Sequence, residues 1–178
     1  SEQFTYTGVT STTFTGVTRA VNSTSAAAHS ASSDAARTVV SESWTERDAS
    51  RTNATKYKFE RFNFDGNEKL IVVDGVNDPT VFSTAMSATD VTASAVEGAS
   101  IVAAYREHMF YAGMSSTPQE LVFSVPFDED NFTSGSGAGS IKVDDTIVGI
   151  KVFRENLFIF CENRIFKLTG SSSSDFAM

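Results

Sequence analysis

The sequence predicts an all-β, antiparallel fold, and three observations support this prediction. Short runs of β-branched and aromatic residues alternate with turn-forming residues, as in residues 153–170. No apolar period of 3.6 residues persists over three helical turns. A strand-rich pattern also recurs every ~40 to 50 residues, which is the repeat length of β-propeller blades. We therefore expect propeller-like blades, or an open β-sheet or sandwich, preceded by a small β module.

The clearest repeat joins two hairpin-like segments. Residues 105–113 read YREHMFYAG, and FRENLFIFC begins at residue 153, 48 positions after residue 105. A more distant copy, FDGNEKLIVVDG at residues 64–75, aligns Leu70 with Met109 at an interval of 39. Each copy predicts two strands joined by a tight turn. Three copies are fewer than the four to eight blades of a closed propeller.

Composition divides the chain into four segments. Residues 1–45 are expected to form a small β module, with a long surface loop at 23–38 and a strand around Trp44. Residues 46–56 read as a polar linker, 57–170 as the propeller-like β-repeat domain and 171–178 as a tail. The acidic and glycine-rich stretch at 127–140 predicts an exposed, mobile loop. The strand-like start and the Ser-rich end favour a fragment of a longer polypeptide.

Charge and apolar content limit the classes of partner. The chain has 14 Lys and Arg against 22 Asp and Glu, a formal net charge of −8. This balance argues against direct binding of nucleic acid over a broad face. The longest apolar run, residues 157–161, is too short to cross a membrane, so no membrane insertion is expected. The single cysteine, Cys161, lies in that run and reads as a buried hydrophobic residue.

No catalytic, cofactor-binding or metal site is predicted, and the chain is not expected to be an enzyme. His108 is replaced by Asn156 in the next repeat, which favours a turn or surface residue over a general base. Asp128 and Asp130 are the best cation candidates, but they do not form an EF-hand loop. Paired carboxylates also leave a hydrolase as a third hypothesis, although their spacing in the fold cannot be derived from sequence.

Four aromatic residues alternate at the start of the repeat domain: Tyr57, Phe59, Phe62 and Phe64. They could form a platform for stacking sugars. The preferred interpretation is the core face of a blade, because repeated units bury their faces against their neighbours.

The pattern aromatic-Arg-Glu-x-apolar-Phe, a Ser-Thr-Pro turn, LVFS and the acidic loop FDEDNF resembles blade sequences of β-propeller proteins in tailed-bacteriophage virions. This resemblance covers residues 57–170. Residues 2–40, with EQFTYTGV and TTFTGVTRA, are similar to small β modules of phage tail and baseplate proteins. Such modules typically carry another strand pair before this segment, so the resemblance implies that the module at residues 1–45 is incomplete at its N-terminus. The resemblance implies a structural component of the virion tail, in its nozzle, adaptor, hub or baseplate region. It further implies other virion proteins as partners and a homo-oligomeric ring. The alternative is a glycan-binding adhesin or receptor-binding module.

Overall fold

A computed structural model describes residues 2–28, 46–49, 51–52 and 56–178. The described chain is all-β with antiparallel pairing throughout, as the sequence predicts. It divides into two compact units, Ser1–Trp44 and Thr45–Met178. The expected strand around Trp44, and the later part of the loop expected at 23–38, lie outside the described residues.

The described residues of the first unit form four strands of two residues each: β1 (Phe4–Thr5), β2 (Gly8–Val9), β3 (Phe14–Thr15) and β4 (Thr18–Arg19). Strand β1 pairs with β4, and β2 pairs with β3. Phe14 packs against Phe4 and Tyr6, with ring centroids 5.5 and 4.8 Å away. The Arg19 guanidinium donates to both carboxylate oxygens of Glu2, at 2.8 and 2.6 Å. An aromatic cluster and an ion pair therefore stabilise these short strands.

Where the structure describes the second unit, it forms three larger sheets, each a meander of consecutive strands. Sheet 1 comprises β5 (Lys58–Phe64), β6 (Asn67–Val73), β7 (Thr80–Phe82) and β8 (Ala88–Asp90). Sheet 2 comprises β9 (Ile101–Tyr105), β10 (His108–Ala112), β11 (Glu120–Phe123) and β12 (Gly139–Lys142). Sheet 3 comprises β13 (Ile147–Phe153), β14 (Asn156–Cys161) and β15 (Ile165–Leu168). A single 3-10 turn, Ser134–Ser136, is the helical element of the described residues.

Each sheet begins with the same two-residue hairpin. An aromatic residue pairs across the turn with Asn or His: Phe64 with Asn67, Tyr105 with His108 and Phe153 with Asn156. In sheets 1 and 2 both turn residues have positive φ, which matches a type I′ turn and the right-handed twist of its strands.

The three turns fix which residues are structurally equivalent. The interval between sheets 2 and 3 is 48 residues, from Tyr105 to Phe153, which confirms the stronger repeat. The interval of 39 predicted for the distant copy is wrong. Phe64 and Tyr105, the residues before the two turns, lie 41 positions apart, so Leu70 is equivalent to Tyr111 and not to Met109. Apolar residues on both faces of β10 hid this two-residue shift from the sequence.

The core consists of two layers, one on each face of sheet 2. The layer between sheets 1 and 2 includes Phe62, Phe64, Ile71 and Val73 from sheet 1 and Val102, Met109, Tyr111 and Val122 from sheet 2. The layer between sheets 2 and 3 includes Tyr105, Phe110, Leu121 and Phe123 from sheet 2 and Leu157, Ile159, Cys161 and Leu168 from sheet 3. Successive side chains of β9 and β10 point into the two layers in turn, because neighbouring residues of a strand face opposite sides of the sheet. This two-sided burial explains why β10 reads as a continuous apolar run.

The residues after β15 fold back onto sheet 2. Thr169 and Ala177 form an antiparallel bridge. Phe176 then packs against the aromatic group of sheet 2, with ring centroids 5.4 Å from both His108 and Phe123. His108 is 1% exposed, so its predicted place in a turn or on the surface is wrong. Its Nδ1 lies 2.6 Å from the Ser124 carbonyl oxygen and donates to it.

The acidic loop after β11 is also more ordered than its sequence predicts. Glu129 is 7% exposed and forms an ion pair with Lys69 of sheet 1. The Tyr111 hydroxyl donates to the Glu129 carbonyl oxygen at 2.8 Å. Phe132 packs on the core layer between sheets 1 and 2. The first half of the predicted exposed loop therefore joins two sheets, because its polar groups have partners that its composition does not reveal.

Candidate interaction surface

The first strands of the three sheets lie side by side, in the order β5, β9, β13. A cleft of about 350 Å³ runs across them and is lined by residues of all three strands: Lys58, Phe59 and Glu60, Ile101 to Ala103, and Gly149 to Val152. Innermost strands that meet around a shared axis are the arrangement of consecutive propeller blades. No closed propeller forms within the described residues.

Sheet 3 has one face in the core and one face exposed. Strand register places Leu157, Ile159 and Cys161 toward sheet 2. The opposite face, which we call the sheet-3 outer face, consists of Lys151, Phe153, Phe158, Phe160, Ile165 and Lys167. Phe153 is 61% exposed and Ile165 is 65% exposed. Large apolar side chains clustered on one exposed face are typical of an interaction surface.

The residues of sheets 1 and 2 that are equivalent to the exposed Phe153 and Ile165 are buried. Phe64 and Tyr105 precede the first turns of their sheets, as Phe153 does, and they are only 8% and 5% exposed. Leu121, which strand register makes equivalent to Ile165, is fully buried. In sheets 1 and 2 this face packs on the following sheet. The sheet-3 outer face therefore has the apolar character of a buried layer, but no further sheet of the described residues packs on it.

At the other end of the unit, sheet 1 also has an outer face. Strand register assigns to this sheet-1 outer face Phe59, Arg61, Asn63, Glu68, Leu70 and Phe82. It mixes apolar and charged groups, and Arg61 pairs with Glu68 at 3.0 Å. Regular pairing along β5 puts Phe59 on this face and Phe62 with Phe64 in the core.

The predicted aromatic core face of sheet 1 is thus only half correct. Phe62 and Phe64 are buried, whereas Phe59 is 61% exposed and Tyr57, just before β5, is 45% exposed. In the sequence, the alternation of aromatic residues shifts by one position between Phe59 and Phe62. Because β5 pairs with β6 without a bulge, Phe59 and Phe62 lie on opposite faces of sheet 1.

One end of sheet 1 is stabilised by a polar cluster around Asp74. Arg51, from the segment predicted as a linker, donates to Asp74 Oδ2 from Nη2 at 2.7 Å. The backbone amides of Val76 and Asn77 donate to Asp74 Oδ1 at 2.9 and 2.8 Å. Burial opposes ionisation of Asp74, but the hydrogen bonds from Asn77, Arg51 and Val76 outweigh it and lower the pKa to about 2. Arg51 also contacts Asp48 and Thr80, so this cluster ties the chain before β5 to sheet 1.

The cation candidates do not assemble into a site. A hydrogen bond from the Asp130 carboxyl to Asp128, together with burial, raises the pKa of Asp130. Asn131 donates to Asp128 at 3.1 Å, which is an ordinary turn contact. No group of three or more His, Cys, Asp or Glu side chains able to hold a metal ion occurs in the described part of the chain.

Cys161, the one other candidate residue that the structure describes, has a structural role. Cys161 is 8% exposed and lies in the core layer between sheets 2 and 3, which confirms its predicted burial. Burial, with Asp145 and Asp144 nearby, raises the pKa of its thiol. His29, the other of the two histidines in the sequence, lies outside the described residues. The feature that the sequence did not reveal is the sheet-3 outer face, because alternation shows two faces and not which of them is covered.

No helix among the described residues is long and apolar enough to span a membrane. No protein-family model matches this chain, and no curated protein matches its sequence.

Proposed function

We propose that this chain is a structural component of a tailed-phage particle, located in the tail, where it assembles through contacts with other subunits. The observation that carries this proposal is the sheet-3 outer face, on which Phe153, Phe160 and Ile165 are 61, 39 and 65% exposed. A buried-type apolar face on a subunit's surface is what an assembly contact requires. The repeat and loop sequences resemble virion propeller blades, and this resemblance is the reason for assigning the chain to a phage particle.

The experiment locates the chain in particles purified from its source. Antibodies raised against the purified chain are bound to intact particles, and the label is imaged by electron microscopy, alongside mass spectrometry of the particle's proteins. We expect peptides of this chain in the particles and label on the tail. Absence of the chain from purified particles, or label confined to the capsid, would overturn the proposal. An antibody against a known capsid protein serves as the control for labelling.

A second candidate function is glycan binding, favoured by one observation. Phe59 is 61% exposed beside the cleft lined by Lys58 and Glu60, so an aromatic face stands next to charged groups that could bind sugar hydroxyls. A glycan array tests it with the whole chain and with the variants Phe59→Ala and Met86→Ala. Met86 is a matched exposed residue in the turn before β8, 48% exposed. Specific binding lost only in Phe59→Ala would favour the adhesin.

A further inference from the structure

We propose that the partner of the sheet-3 outer face is the sheet-1 outer face of a second copy of this chain. Two such junctions, related by a twofold axis, would join two copies head to tail in a closed ring of six sheets. This inference rests on the proposed role as an assembly subunit and names the partner as a second copy.

The first argument is continuity with the junctions inside the chain. Sheet 1 packs on sheet 2, and sheet 2 packs on sheet 3, each time through the face that includes the aromatic residue before the first turn. Phe64 and Tyr105 are buried in this way, and Phe153 presents the same position to solvent. A further sheet that packed on sheet 3 as sheet 3 packs on sheet 2 would cover Phe153, Phe160 and Ile165. The exposed Phe59 on the sheet-1 outer face supplies apolar area for this contact.

The number of sheets selects two copies. Closed propellers have about four to eight blades. The described residues of each copy contribute three blade-like sheets, so two copies give six such sheets, and three copies would exceed this range. A head-to-tail contact closes into a ring when its repeated rotation returns to the start, and otherwise produces a filament.

Charge complementarity at the new junction follows from the repeat. Glu68 is the second residue of β6, equivalent to Met109 in β10 and Leu157 in β14. Met109 shares a core layer with Phe62 and Phe64 of the preceding sheet. The residues of sheet 3 equivalent to Phe62 and Phe64 are Lys151 and Phe153. A second copy's Glu68, with its ion-pair partner Arg61, would therefore lie in the same layer as Lys151.

The hairpin turns give a second complementary pair. Inside the chain, Arg106 in the first turn of sheet 2 pairs with Glu155 in the first turn of sheet 3, at 3.2 Å. The residue equivalent to Arg106 in sheet 3 is Arg154. The sheet-1 residue equivalent to Glu155 is Gly66, and the adjacent turn residue Asp65 would bring its carboxylate near Arg154 of the other copy. Carboxylates of sheet 1 are thus brought near cations of sheet 3 at two places in the junction, which favours this orientation.

The opposite orientation, with two sheet-3 outer faces packed on each other, is disfavoured by charge. That face includes Lys151 and Lys167, both paired in register with Phe158, at the centre of the sheet. Packing two copies of it together would bring lysines against lysines. In the head-to-tail ring, the first strands of both copies would surround one channel, and the cleft across β5, β9 and β13 would form half of its wall.

The test measures the mass of the purified whole chain by sedimentation velocity and native mass spectrometry, across micromolar concentrations. We expect a dimer. Lys151→Glu places two carboxylates at each junction, and Glu68→Lys places two ammonium groups there, so each variant alone should raise the dissociation constant by about tenfold or more. An equimolar mixture of these two variants restores opposite charges at both junctions. We expect the mixture, and the double variant, to dimerise again.

Two controls keep the result specific. Lys142→Glu makes the same charge change on β12, outside both outer faces, and should leave the dimer unchanged. Thermal unfolding of each variant checks that it folds, which is expected because Lys151 and Glu68 are exposed. A monomeric wild-type chain would overturn the inference, as would a dimer that ignores Lys151→Glu or is not restored in the mixture. Label on the phage tail together with a monomeric chain would refute the second copy and leave the proposed function standing.

Discussion

The Tyr105 hydroxyl donates a hydrogen bond to the Glu155 carbonyl oxygen at 2.9 Å, joining the last residue of β9 to the first turn of sheet 3. Tyr105 is 5% exposed, and its ring packs on Phe110 and Phe176. We predict that Tyr105→Phe lowers the free energy of unfolding by about 1 kcal/mol, because packing is kept while the Glu155 carbonyl loses a donor. Urea denaturation followed by circular dichroism measures the change.

The control for this prediction is Tyr57→Phe, since Tyr57 is 45% exposed. It should change stability by less than about 0.5 kcal/mol. Equal effects of the two substitutions would show that the hydroxyl of Tyr105 does not stabilise the junction between sheets 2 and 3.

The ion pair between Lys69 and Glu129 gives a second prediction. Glu129 is 9% exposed in its side chain, and Lys69 is 33% exposed. Lys69→Met keeps most of the aliphatic stem but leaves a nearly buried carboxylate without this cation, so we expect a loss of about 1 to 2 kcal/mol in unfolding free energy. The double variant Lys69→Met with Glu129→Gln should recover part of that loss, because no charge is then left buried.

Chemical denaturation of the four proteins in this cycle measures the coupling. Lys142→Met serves as the matched control on an exposed lysine of β12. If the two single substitutions proved additive in the double variant, Lys69 and Glu129 would not interact energetically, and other contacts of the acidic loop, such as those of Phe132 and Tyr111, would hold it in place.

The Asp74 cluster predicts how stability depends on pH. The pKa of Asp74 is about 2 in the folded chain, below its ordinary value of 3.8. A lowered pKa stabilises the folded state fully above the ordinary value, and this stabilisation is lost as pH falls from about 4 to 2. We expect about 1 to 2 kcal/mol from this group. Asp74→Asn should remove that part of the acid sensitivity between pH 4 and 2.

Denaturation curves at several pH values compare Asp74→Asn with the parent chain. Asp65→Asn is a suitable control, because Asp65 is an exposed turn residue. A pH profile of Asp74→Asn parallel to that of the parent would contradict the low pKa of Asp74.

The sequence predicted the antiparallel class and the repeat because both depend on local signals. Alternation, the Asp65-Gly66 turn and the turn at residues 162–164 each specify strands within a few residues of themselves. The burial of His108 could not be predicted in this way. It depends on Phe176, 68 positions later in the chain, whose ring covers the aromatic group of sheet 2.

The same limit applies to the interaction surface. Alternation along β14 separates Leu157 and Ile159 from Phe158 and Phe160, but both sets are apolar. Which set is exposed depends on where sheet 2 lies, a relationship between sheets that strand periodicity does not contain. The roles of Arg51 and Glu129 were missed for a similar reason, since each meets its partner across a long sequence separation.

Gly170 gives the last prediction, on the turn that brings Phe176 onto sheet 2. Its φ is +117°, and a Cβ at this position would lie 2.6 Å from the Asp175 carbonyl oxygen. We expect Gly170→Ala to cost about 1 to 3 kcal/mol, through backbone strain and displacement of residues 171–178. Gly135→Ala is the matched control, because a Cβ there meets nothing within 4 Å. Hydrogen exchange reports the local effect. The Ala177 amide, which donates to Thr169 at 3.0 Å, should exchange faster in Gly170→Ala and normally in Gly135→Ala. Unchanged protection of Ala177 in both variants would mean that Phe176 is held on sheet 2 by its aromatic contacts and not by the conformation of Gly170.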